Sequence, residues 1–121
     1  MAAPNIVSVS TITGKTAVQA IDTSATAIVT NAASSNKVFK INSLYISNVD
    51  GVNEANVTVD LFRSSISPDT AYHLAKDVTV PAQAVLEVIT KPIYLEEEDA
   101  LRLTSNFVSR LEAVCSYEEI S

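Results

Sequence analysis

The sequence predicts an all-β protein, a single-domain antiparallel β-sandwich of jelly-roll type. Three observations carry this. From Asn53 to Phe62, Val57, Val59 and Leu61 alternate with Asn56, Thr58 and Asp60, the period of a strand with one dry and one wet face. Short apolar runs recur along the whole chain, separated by small, polar or proline-containing turns. No window shows an apolar stripe at i, i+3, i+4, i+7, and the nearest helical rival, Ala17 to Ile28, is interrupted by Thr and Ser. Short edges and prolines are how a sandwich of this type protects its rims.

Residues 1–20 are rich in Ala, Val, Thr, Ser and Ile, which favour extended backbone. Two readings stand for them: the first strand of the sandwich, or an arm laid on a neighbouring subunit. Residues 21–121 form the sandwich proper. Ala25 to Thr30 is a short strand, and Asn31 to Asn36 a polar turn. Lys37 to Val49 is a long strand whose apolar phase changes near Asn42-Ser43, as a β-bulge requires. Asp50-Gly51 then closes a central hairpin onto the Asn53–Phe62 strand. Ser64 to Thr70 is a loop around Pro68-Asp69. Ala71 to Ala75 and Val78 to Val80 are two short strands, stopped by Pro81, which has no N–H to offer a ladder. Val85 to Thr90 follows, then a short edge strand at Ile93 to Leu95 and a charged bend at Glu96 to Asp99. Leu101 and Leu103 alternate with Arg102 and Thr104, and Leu111, Ala113, Cys115 and Tyr117 with Glu112, Val114, Ser116 and Glu118, so the two strands form a second hairpin with its tip at Ser105 to Ser109.

The bulk numbers fit one domain with a substantial core: 121 residues, 47% hydrophobic and only 18% charged. So few charges suit a surface partly covered by a partner. The net charge of −6 and scattered Lys and Arg argue against nucleic acid, which demands a basic patch. The amino-terminal residues lack a basic region followed by an apolar run, and no segment is long and apolar enough to span a bilayer, so neither a secretory signal nor a membrane is expected.

Gly14-Lys15-Thr16 ends like a phosphate-binding loop, but Val9 occupies the position where that motif needs its first glycine. Glu96 to Asp99 are four consecutive acids that diverge around a bend and suit solvent better than a cation. His73 is the lone histidine, in a short strand, and Cys115 shares the parity of Leu111 and Ala113, which predicts a buried, inert thiol. No enzyme activity, cofactor or metal is expected. Tyr45, Tyr72, Tyr94 and Tyr117 leave a glycan-binding module as an alternative, although tryptophan is missing. The last tip carries Phe107 and Val108 where Gly, Asn or Asp is usual, and suits a covered contact.

Several stretches together, MAAPNIVSVSTITGKTAV, LYISNVDG, ANVTVDLFRS, PIYLEEEDALRLTS and LEAVCSYEEIS, resemble the small virion structural proteins of tailed bacteriophages of marine and cyanobacterial hosts. The resemblance covers nearly the whole chain. Such proteins often carry glycine before the aspartate of a "YLEEGD" turn and a Gly/Asn tip in the last hairpin. Here Glu98 and Phe107-Val108 stand there instead. The resemblance implies an all-β virion protein assembled in the host cytoplasm. Its partners would be the major capsid protein or other virion proteins, and further copies of itself in a homo-oligomer are expected. Capsid decoration is the first expectation; a neck, tail or fibre component is the alternative. The interface is expected to use Ile6, Val7, Val9 and Ile12 from the arm, and Phe107 and Val108 from the tip.

Overall fold

A computed structural model describes residue 4 and residues 7–121. Among these, nine strands and no helix are present: β1 Ile12–Ala20, β2 Thr26–Thr30, β3 Val38–Asn48, β4 Ala55–Arg63, β5 Thr70–Val80, β6 Val85–Ile89, β7 Ile93–Leu95, β8 Asp99–Ser105 and β9 Leu111–Ile120. They form two antiparallel sheets. Sheet A runs β1-β9-β3-β6, with β7 also paired to β3, and sheet B runs β2-β8-β4-β5.

The pairing is nested. β1 pairs β9, β2 pairs β8, β3 pairs β6 and β7, and β4 pairs β5, so the chain is one long ribbon folded at the loop between β4 and β5. Rolling that ribbon adds β3 to β9 and β4 to β8, which closes two sheets face to face. This is a jelly roll, as the sequence predicts. The edge of β3 is covered in two pieces: Phe39–Ile41 by β7 and Leu44–Ser47 by β6. Pro92 lies in the gap, where no ladder N–H is needed.

The two expected hairpins do not form. β3 and β4 lie in opposite sheets, and the segment around Asp50-Gly51 is a crossover between them. Gly51 does not adopt positive φ. Instead the Asp50 carboxylate accepts from the backbone N–H of Val52 and Asn53, both at 2.8 Å, and turns the chain. Likewise β8 lies in sheet B and β9 in sheet A, so residues 106–110 cross over rather than reverse. The reason is burial. As a crossover pair, β3 lies between β9 and the β6/β7 edge, and β4 between β8 and β5, so both are interior strands. The two short strands expected over residues 71–80 are one, β5, which tolerates Asp77 at φ 49° and register shifts against β4.

The core lies between the sheets. Ile41, Leu44 and Ile46 of β3, Val57 and Val59 of β4, Leu101 and Leu103 of β8 and Cys115 of β9 are fully buried. Each large side chain so placed contributes about 1.5–3 kcal/mol. The phase change in β3 is a bulge: the register against β9 slips between Ile41 and Ser43, which keeps Ile41 and Leu44 both inward.

Candidate functional site

Alternation along β9 sends Leu111, Ala113 and Cys115 inward and Glu112 and Val114 outward. Cross-strand register then builds rows on the outer face of sheet A. One row is Val18 of β1, Val114 of β9 and Tyr45 of β3, consecutive partners in the ladder. They are 73%, 42% and 41% exposed, so an apolar row crosses three strands in open solvent. The next row places Ala20, Glu112, Ser47 and Val85 side by side, with Val85 also exposed. Between β1 and β9 lies a shallow hollow of about 330 Å³, lined by Val18, Ala20, Glu112 and Val114 among others.

The outer face of sheet B is different in kind. The corresponding row there is Arg102, Asp60 and His73. Arg102 Nε donates to Asp60 Oδ1 at 3.0 Å, and its guanidinium lies 3.9 Å from the centre of the Phe62 ring. The charge and the aromatic face are therefore occupied within the chain. Sheet A presents unpaired apolar side chains where sheet B presents a self-contained polar cluster.

Of the six residues expected at an interface, the five that are described do not come together at one place. Ile6 lies outside the described residues. Val7 is 88% exposed, Val9 is half-buried, and Ile12 opens β1 opposite Ile120. Phe107 and Val108 stand before the first residue of β9, at the other end of the sandwich. The length of β9, roughly 33 Å at the usual rise, separates the two groups. Phe107 is partly covered by its own chain: the Arg110 guanidinium sits 3.9 Å from its ring centre, and Arg110 donates to Glu54 O at 2.9 Å. Val108 is exposed.

The charged bend holds an ion pair that the sequence reading missed. Asp99 is fully buried and receives Arg63 Nε and Nη2, both at 2.8 Å, plus the Glu96 N–H at 2.9 Å. Arg63 Nη2 also reaches Glu96 at 3.1 Å. Hydrogen bonding to Asp99 first, and the nearby charges of Asp99 and Glu96, hold the guanidinium well above its ordinary pKa against the effect of burial. The only sequence signal was that Asp99 shares parity with Leu101 and Leu103. Two buried asparagines also escaped notice. Asn31 donates to Lys37 O and Leu95 O, and Asn48 to Asn53 O and Val80 O, so each stitches crossover segments at one end of the sandwich.

Cys115 is buried, and burial pushes its thiol up to about 11, away from nucleophilic use. His73 Nδ1 lies 4.0 Å from Asp60 Oδ2 on the outer face of sheet B. Glu119 is bridged by Lys15, at 2.9 Å, and by Lys37. The Lys15 hydrogen bond, then that of Lys37, holds the Glu119 carboxyl below its usual range. Among the described residues, no three His, Cys, Asp or Glu side chains converge as a metal site.

No family model matches the chain, and no curated protein matches it. Among solved structures, a chain from the disulfide-linked pili that form Bacillus endospore appendages is similar over 92% of this chain and 88% of its own length. The identity is 12% and the TM-score 0.52, so the likeness is one of fold.

Proposed function

We propose that this chain is a structural subunit of a larger protein assembly, namely a virion protein of a tailed phage that decorates the head shell. The observation that carries the reading is the exposed apolar row Val18–Val114–Tyr45, set on a sheet whose strands are already paired on both sides at β9 and β3. Such a row suits a broad, dry contact with another protein. The rest of the surface chemistry agrees: the charged clusters are paired within the chain, and the one thiol is buried. The phage assignment itself comes from the sequence resemblance.

The test is co-sedimentation of the purified chain with phage head shells that lack it. Wild-type protein is expected to pellet with shells, and Val114→Glu, on an exposed position, is expected to fold normally and stay in the supernatant. Equal binding by the variant removes sheet A from the contact. A copy number of about six or twelve per particle, rather than on the order of hundreds, moves the protein to a neck, tail or fibre ring. The fold likeness to the endospore appendage pili favours a second reading, a subunit of a filament. A covalent filament of that kind would need at least two bridging thiols per subunit, whereas this chain has the single buried Cys115, so a non-covalent one is the form this chain supports.

A further inference from the structure

Among the described residues the sandwich has four edges, and three are interrupted. β2 slips register between Ala27 and Val29. β5 slips against β4 and holds Asp77 at positive φ. The edge beyond β3 is divided between β6 and β7. Breaks of this kind are how natural sheets avoid pairing with other chains. β1 has none: its nine residues pair with β9 without a shift. Its single lysine, Lys15, is turned back onto Glu119 and does not guard the edge.

The direction of the hydrogen bonds identifies what that edge offers. Thr11 exchanges both bonds with Ser121, at 3.0 and 2.9 Å, and Ile21 N donates to Leu111 O at 2.9 Å. Antiparallel alternation therefore aims the odd-numbered residues at β9 and turns the N–H and C=O of Ile12, Gly14, Thr16, Val18 and Ala20 outward.

We propose that this edge binds a second copy of the chain, β1 against β1, antiparallel about a two-fold axis through Thr16. In that register every outward residue falls in a hydrogen-bonded pair: Ile12 with Ala20 of the second copy, Gly14 with Val18, Thr16 with Thr16. The side chains fit. Nothing lies within 4 Å of where a Gly14 Cβ would be, so the space opposite Val18 is open. Ile12, 55% exposed, comes beside Ala20 of the other copy, at the hollow between β1 and β9. Lys15 faces Ala17 rather than another lysine, and β1 carries no second charge. The other edges offer β1 no equally regular partner. The axis is normal to the sheet, so the apolar rows of both copies open on the same side. The pairing stands on the edge geometry and holds whether or not the chain coats a phage head.

The test is a cysteine scan of the full chain with a non-reducing gel after mild oxidation, Cys115 being buried. Thr16→Cys is expected to give a covalent dimer. Gly14→Cys and Val18→Cys are expected to stay monomeric on the gel, because like residues there are about 13 Å apart along the strands. Sedimentation of the wild-type chain at about 100 μM, where a micromolar contact is saturated, should show a dimer. A monomer by sedimentation overturns the proposal. So does cross-linking at residue 14 or 18 that equals that at 16.

Discussion

Glu98 occupies the left-handed region, at φ 71°, in the bend between β7 and β8. A side chain there costs about 1–2 kcal/mol relative to the ordinary region, and glycine escapes the cost. The backbone is fixed regardless: Glu98 N donates to Asn31 O at 2.8 Å, and Glu98 O accepts from Ser64 N at 3.0 Å. Glycine at this position keeps both bonds. Glu98→Gly is therefore expected to raise stability by about 1 kcal/mol, after the extra entropy of a glycine in the unfolded chain is subtracted. A thermal melt that shows no rise, or a fall, counts against this account of the bend. At Asp99 the opposite holds: the carboxylate is fully buried and bidentate with Arg63, so the side chain is specified by its partner rather than by its backbone.

β1 contributes little to the core. Most of its side chains are exposed, and Ala17 is the only one packed against the buried cluster. Its hold on the molecule is the ladder with β9, reinforced by Lys15 on Glu119. Because the folded Glu119 carboxyl titrates below its unfolded value, its contribution is complete above about pH 4.3 and is lost as the pH falls through the lower folded value. Glu119→Gln is expected to lower the melting temperature at pH 7 by a few degrees, the effect of about 1 kcal/mol for paired surface charges. The difference between the two proteins should close in strong acid. A gap that persists at pH 2 would assign the loss to packing instead. The same strand is the open edge, so a weaker β1 should also weaken dimerisation.

At the scale of the whole molecule, the first described strand pairs with the last, and β2 with the strand before it. Every such pair must wait for loop closure across most of the chain. Refolding from denaturant is expected on the millisecond-to-second scale, and microsecond refolding would contradict a nested order of assembly. That nesting also explains how far the sequence could be read. Alternation is local, so the strands over residues 38–48, 55–63 and 111–120, the bulge near Asn42 and the inward Cys115 were legible in the order of residues alone. Pairing is not local: the Asp50-Gly51 turn has hairpin chemistry, yet β3 and β4 join different sheets, each paired there with a strand distant in the chain. The row Val18–Val114–Tyr45 draws on three distant strands, and only register assembles it. The sequence by itself determined that this protein is a stack of half-dry strands around an apolar core, because side-chain parity needs no knowledge of neighbours. The tertiary structure decided which strands meet, which edge stays open and which face is apolar, because those follow from contacts between residues far apart in the chain.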